Sequence, residues 1–313
     1  MQPGLPTSGS PTDFCHMNWK GVIPAITTNL NADLSVDHAA LAAHCRWMID
    51  SGCAGIVCCG SLGEAATLGF EEKIAVVRTC VEAVDRRAPV VLGIASLGTG
   101  EAVAMARAAA EAGAQGLMVL PPYVYASDWR EMKAHVGAVI AATKLSCMLY
   151  NNPPAYKTDF LPEQIAELAA EHANLHAVKE SSGDVRRVSA IKAVIGRRLD
   201  ILVGMDDAIV EGVYAGAVGW VAGLVNAFPE ESVALFDYAS RGDKARAFAL
   251  YAWFLPLLRL DTVPKFVQLI KWVQAEVGRG TPHVRPPRLP LAGADLELAR
   301  TVLATALKER PKL

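Results

Sequence analysis

GCAGIVCCG at residues 52–60, GAQGLMVL at 113–120 and GAVGWVAG at 216–223 are three copies of one device. In each, a helical stretch ends in glycine, a second glycine follows three residues later, and a short apolar run comes next. A glycine just past a helix takes the left-handed backbone conformation without the penalty a Cβ brings. A run that is apolar at every position, rather than at alternate ones, suits a strand buried on both faces. The device therefore reads as helix, turn, buried parallel strand.

Working outward from these copies, eight strands are expected, at 22–27, 55–59, 89–94, 116–120, 145–150, 175–179, 200–204 and 219–222. Helical segments separate them. Residues 36–50 carry apolar side chains at helical spacing behind Ser35, a candidate N-cap. Residues 70–84 open with Glu71 and Glu72, whose charge suits a helix N-terminus. Residues 128–142 follow Ser127, a second candidate cap, and 161–171 have Pro162 in the first turn. Eight alternating units favour an α/β fold, a (β/α)8 TIM barrel. A doubly wound open sheet is the alternative, but no Gly-rich phosphate fingerprint follows the first strand. Helices at 244–258, 263–277 and 296–307 exceed what a barrel needs, and a basic, Pro-rich connector, HVRPPRLPLAG, precedes the last. The expected organisation is a loose extension over 1–16, a barrel over 17–240 and a helical appendage over 241–313.

Composition narrows the function classes. Of 313 residues 52% are hydrophobic, enough to form a core and to exclude intrinsic disorder. Lys and Arg number 30 against 32 Asp and Glu, a net charge of −2 with no like-charge block, so nothing marks a nucleic-acid partner. Seven cysteines, none in a C-x-x-C pair, suggest reduced thiols and a cytoplasmic protein. The first fifteen residues lack the basic start and apolar core of a signal peptide. The uncharged part of 212–229 is interrupted by four glycines and Asn226, and reads as helix end, strand and loop rather than a membrane span.

In a barrel of this kind, reactive side chains sit at the C-terminal ends of strands and in the loops that follow. That rule selects GSLGE at 60–64, YNNP at 150–153, KESSG at 179–183 and GMDD at 204–207. Lys179 ends an apolar strand; desolvation lowers a lysine pKa, and the neutral amine attacks a carbonyl or imine carbon. The competing reading is a surface lysine paired with Glu180. Tyr150 can move protons if a second hydroxyl, such as that of Ser61, connects it to the reacting atom; otherwise it is a core aromatic and Ser61 a turn residue. Glu64 is expected to hold backbone N–H groups, and Asp206 with Asp207 to cap the next helix. His172 and His176 have a zinc-like spacing, but they straddle a helix-to-strand loop, so no metal is expected.

GSLGE, YNNPP and VKESSGD, in that order at three strand ends, resemble the dihydrodipicolinate synthase/N-acetylneuraminate lyase family of Schiff-base barrels. The resemblance runs from Met17 into the C-terminal helices. It implies Lys179 as the Schiff-base lysine and Tyr150 as proton shuttle. It puts Ser61 in place of the first motif threonine, with backbone at Ser61, Leu62 and Val221 holding the substrate. It also implies that no cofactor beyond the lysine is needed, that the substrate is a small carboxylate, and that the assembly is a homotetramer of dimers. Three departures stand out. Leu62 occupies the second threonine position, Ala155 the place of a carboxylate-binding arginine, and Val124, between Tyr123 and Tyr125, the place of an aromatic hydroxyl. They argue against the lysine-pathway synthase reaction. Lys157 is the candidate to replace the missing arginine. Within the family, MNWKGV, CGSLGEAATL, YNNPPAY and HVRPPRLPLAG resemble the branch that deaminates 1-pyrroline-4-hydroxy-2-carboxylate. A sugar-acid dehydratase, a 4-hydroxy-2-oxoglutarate/pyruvate aldolase and a non-catalytic binding barrel are the other readings.

Overall fold

The computed structural model describes residues 17–123 and 125–313. The N-terminal extension and Val124 therefore lie outside the described residues. The described residues form eight strands: β1 (Gly21–Pro24), β2 (Ile56–Cys58), β3 (Val90–Ile94), β4 (Gly116–Val119), β5 (Ser146–Asn151), β6 (Leu175–Glu180), β7 (Asp200–Val203) and β8 (Gly219–Ala222). All pair in parallel in the order β1-β8-β7-β6-β5-β4-β3-β2. The remaining gap is bridged by Ile26 N donating to Val57 O at 2.9 Å and Ala54 N donating to Val22 O at 2.8 Å. The result is a (β/α)8 barrel with additional C-terminal helices.

The glycine device works as its chemistry requires. Gly52, Gly113 and Gly216 have φ of +94°, +91° and +111° at the helix-to-strand turns. The second glycine of the pair admits close neighbours: a Cβ on Gly219 would lie 2.5 Å from Trp19 O, and one on Gly116 would lie 2.7 Å from Met17 Sδ. Trp19 is fully buried, and its indole N–H donates to Ser146 Oγ at 2.8 Å.

Strand periodicity then builds two cores. Ile23, Val57, Val91, Met118, Met148, Ala177, Leu202 and Val221, one from each strand, belong to the barrel interior. Their strand neighbours face outward and pack beneath the helices in a larger cluster. Because side chains alternate along a strand, the residue two places beyond an interior position points inward as well, one layer nearer the C-terminal mouth. Tyr150 follows Met148 in this way, Lys179 follows Ala177, and Gly204 follows Leu202.

Two of the expected helix caps give way to a neighbouring residue. The first helix is His38–Asp50, capped by Asp37, whose carboxylate accepts from Ala40 N at 2.9 Å; the Ser35 hydroxyl is tied to Asp33 instead. Trp129–Ala141 is capped by Asp128 in a reciprocal box with Glu131, not by Ser127. In both places a carboxylate nearer the helix takes the free N–H groups. Beyond β8 the chain adds Pro229–Ser240, Lys244–Leu258, Phe266–Glu276 and Gly293–Lys308. No described helix is long and apolar enough to cross a membrane. The six described cysteines are free and buried.

Candidate active site

Lys179 and Tyr150 meet because β5 and β6 pair in register, with Tyr150 directly opposite Lys179. Lys179 is 6% exposed, and its Nζ lies 4.2 Å from the centroid of the Tyr150 ring. It is not paired with Glu180. Strand alternation turns Glu180 to the other face, where its carboxylate accepts from Asn151 Nδ2 at 3.0 Å and Ser182 N at 2.6 Å. Gly204 makes room for the lysine stem: a Cβ there would lie 2.5 Å from Lys179 Cε. Burial pushes the Lys179 ammonium down to about 8, against the opposing pull of the Asp261 and Asp206 carboxylates.

The Tyr150 hydroxyl accepts a hydrogen bond from Asn152 Nδ2 at 2.9 Å, which leaves its own proton free to be given away. Burial raises the phenol to about 12, with Asn152 acting in the opposite direction. Ser61 does not bond Tyr150. Its hydroxyl bonds that of Tyr156, and the Tyr156 ring stands edge-on to Tyr150 with centroids 5.8 Å apart. Tyr156 also packs on Tyr123 at 5.2 Å between centroids, and Tyr123 donates to Ala95 O at 3.0 Å. Sequence reasoning passed over Tyr156. The signal lay in YNNPPAY: Asn152 caps a helical turn that opens with Pro153, and one turn brings Tyr156 back over the strand end, its N–H on Asn152 O at 3.0 Å.

Lys179, Tyr150, Asn152, Ser61 and Tyr156 line a cavity of about 500 Å³ at the barrel mouth, together with Leu62, Val221 and Ala155. Of the candidate site residues, Lys179, Tyr150, Ser61, Leu62 and Val221 are all brought to this one space. Lys157 is not: its ammonium donates outward to Pro154 O at 3.1 Å. The cation that does reach the cavity wall is Arg288, from the Pro-rich connector, 4.0 Å from Glu64 Oε2. Asp261 joins the wall from the 3-10 turn Arg259–Asp261. Neither was legible as a site residue in the sequence, because both arrive from segments that follow the eighth strand.

The acids of the turns have structural partners. The Asp206 carboxylate accepts from Trp220 Nε1 at 2.9 Å, Gly223 N at 3.0 Å and Leu224 N at 2.7 Å. It therefore fixes the loop after β8 rather than capping a helix. Burial still raises it to about 6, despite those donors. Glu64 accepts from Arg285 N at 3.0 Å, as a structural carboxylate should, and also from Lys271 Nζ at 2.7 Å. Lys271 and Glu64 are both 1% exposed, so the pair pins Phe266–Glu276 to the GSLGE loop. Lys271→Met leaves Glu64 buried beside a neutral side chain. It is expected to lower stability by roughly 3–5 kcal/mol, read as a lower urea midpoint with an unchanged transition slope. His172 and His176 serve different neighbourhoods: the His176 ring bonds Ser146 Oγ at 2.7 Å, while His172 ends the helix Pro162–Glu171. Among the described residues no group of three or more His, Cys, Asp or Glu could hold a metal ion.

The same arrangement of chain is found elsewhere. A profile of the dihydrodipicolinate synthetase family matches residues 18–307. The 4-hydroxy-tetrahydrodipicolinate synthase of Geobacter metallireducens is 32% identical over 291 residues, covering 93% of this chain and 98% of that protein. The enzyme of the same name from Agrobacterium fabrum is 34% identical over 269 residues, covering 86% and 92%. Among solved structures, the 4-hydroxy-tetrahydrodipicolinate synthase of Methylacidiphilum fumariolicum superposes with a TM-score of 0.89 at 29% identity, over 92% of this chain and 96% of that one. A prophage protein of E. coli K12 from the same family, solved with pyruvate, gives 0.87 at 28% identity over 92% and 99%. With the profile and these full-length relatives both spanning the barrel and the helices beyond it, the chain belongs to the dihydrodipicolinate synthetase family.

Proposed function

We propose that this family member deaminates 1-pyrroline-4-hydroxy-2-carboxylate to 2,5-dioxopentanoate and ammonia, a step of hydroxyproline breakdown in the cytoplasm. Neutral Lys179 attacks the ring C=N carbon, and the ring nitrogen departs as an open-chain amine. The imine left on Lys179 acidifies the adjacent C–H; Tyr150, having given its own proton to the departing ring nitrogen, takes that proton as phenolate. The neighbouring hydroxyl leaves as water, the double bond migrates to a terminal imine, and water hydrolyses both imines. The lysine is the electron sink, so the reaction needs no cofactor.

The observation that carries the reading is the character of the cavity wall. Leu62 and Ala155 line it where the family resemblance places a hydroxyl and a carboxylate-binding arginine, and Asp261 adds an acid. One carboxylate is met by backbone at Ser61–Leu62, with Arg288 on the Glu64 side of that loop. A second, on the Ala155 side, would be desolvated where the resemblance places an arginine and this chain has none, at a cost of about 1–3 kcal/mol or more. In contrast, the pyrroline carries one carboxylate and a neutral hydroxyl. The resemblance also implies a homotetramer, and the exposed Leu97 and Tyr125 beside the mouth are apolar surface for a second subunit to cover.

The reading is tested by assaying ammonia and 2,5-dioxopentanoate from the pyrroline, beside cleavage of 4-hydroxy-2-oxoglutarate. The expected kcat/KM favours the pyrroline by at least about tenfold, since about 1.4 kcal/mol is a factor of ten. Equal or better use of the dicarboxylate would transfer the reading to a pyruvate-forming aldolase.

A further inference from the structure

Two proton-transferring groups flank Lys179 from opposite sides, and only one has been used so far. Tyr150 stands on β5, next to the lysine strand. Asp261 comes from a turn beyond the barrel and packs against the loop after β8, two strands away on the other side. The fit there is close: a Cβ on Gly223 would lie 2.2 Å from Asp261 Oδ1. Asp261 and Gly223 both line the cavity that holds Lys179, so the carboxyl sits at the cavity wall.

We propose that Asp261 is the catalytic acid for the departing hydroxyl, and that this makes the barrel a dehydrating enzyme rather than an aldol-cleaving one. The substrate in this statement rests on the deaminase reading above. In the enamine formed on Lys179, the electron pair moves from C2=C3 to form C3=C4 as the C4–O bond breaks. The Asp261 proton joins the departing oxygen, water leaves, and a conjugated iminium remains with Asp261 as carboxylate. That carboxylate then removes a C5 proton while Tyr150 returns one to C3. This moves the double bond toward the amino end and reloads Asp261. Aldol cleavage demands the reverse at the same oxygen: a base must take the C4 hydroxyl proton as C3–C4 breaks. A protonated carboxyl cannot do so. Burial and the neighbouring Asp206 hold Asp261 well above the usual carboxylate range, with Lys179 pulling the other way and Asp207 adding to the rise. Arg259, 3.8 Å from Asp207, is the further charge on that side.

The test uses Asp261→Asn and Asp261→Glu with three readouts. The first is borohydride trapping of pyruvate on Lys179, at a pH above the lysine's value of about 8. The second is ammonia release from the pyrroline. The third is the fate of a 4-hydroxy-2-oxo acid, with the conjugated enoate seen by absorbance and pyruvate counted as cleavage. Asp261→Asn should trap pyruvate within about threefold of wild type and lose about 10² to 10⁴ in ammonia release. Its product ratio on the hydroxy acid should shift toward cleavage, and Asp261→Glu should recover part of the loss. Unchanged ammonia release in Asp261→Asn overturns the assignment, as does equal loss of trapping, which would make Asp261 a support for the lysine. A wild type that only cleaves the hydroxy acid overturns it too. Conversely, a wild type that dehydrates the hydroxy acid but releases no ammonia removes the deaminase reading and leaves the role of Asp261 standing.

Discussion

Lys179→Arg is expected to leave a folded barrel with no measurable turnover, a loss of at least about 10⁴-fold. Arginine keeps the length and the charge, but its guanidinium does not deprotonate in a protein, so it cannot form the imine. In the unsubstituted enzyme, borohydride added with substrate should leave a reduced adduct on the peptide containing Lys179. In Lys179→Arg that adduct should vanish. An unmodified Lys179 peptide, with an adduct elsewhere, would end the Schiff-base mechanism. The pH dependence has a definite sign. Burial lowers this amine from 10.5 to about 8, and the reactive form is the neutral one. Imine formation should therefore rise with pH up to about 8 and level off above it, falling about tenfold per pH unit on the acid side. A lysine of ordinary pKa would still be rising beyond that point.

Tyr150→Phe should fold normally and lose about 10² to 10⁴ in kcat, the usual range for a removed acid–base group. The ring remains to pack against Tyr156 and beneath Lys179, and the hydroxyl's contacts with Asn152 and Ser181 are what is lost. The loss should fall on the proton-transfer step. Trapping of pyruvate should persist, while exchange of the C3 hydrogens with deuterated solvent should slow in proportion to kcat. Near-full activity would reduce Tyr150 to a core aromatic. Exchange at the normal rate beside a reduced kcat would move its role to a later step.

The strands were legible because each is a local, mostly apolar run, three of them behind a glycine-ended turn, and a buried parallel strand admits little else. Lys179 and Tyr150 were legible for a related reason: a polar side chain at the end of such a run is costly to bury and marks the mouth of the barrel. Helix starts were less so, because neighbouring residues compete for the same free N–H groups. Asp37 and Asp128 take them from Ser35 and Ser127 by a shift of one or two positions. The remainder of the site belongs to tertiary structure alone. Ser61 meets Tyr156 across 95 residues of chain, and Glu64 meets Lys271 across 207. Asp261 and Arg288 reach the cavity only because the helices after β8 fold back over its mouth. No local pattern encodes those meetings, since they depend on how the chain closes. The repeating strand and helix, and the lysine at a strand end, are written in local runs of residues. Packing of the C-terminal segments against the barrel decided which acid and which cation face that lysine.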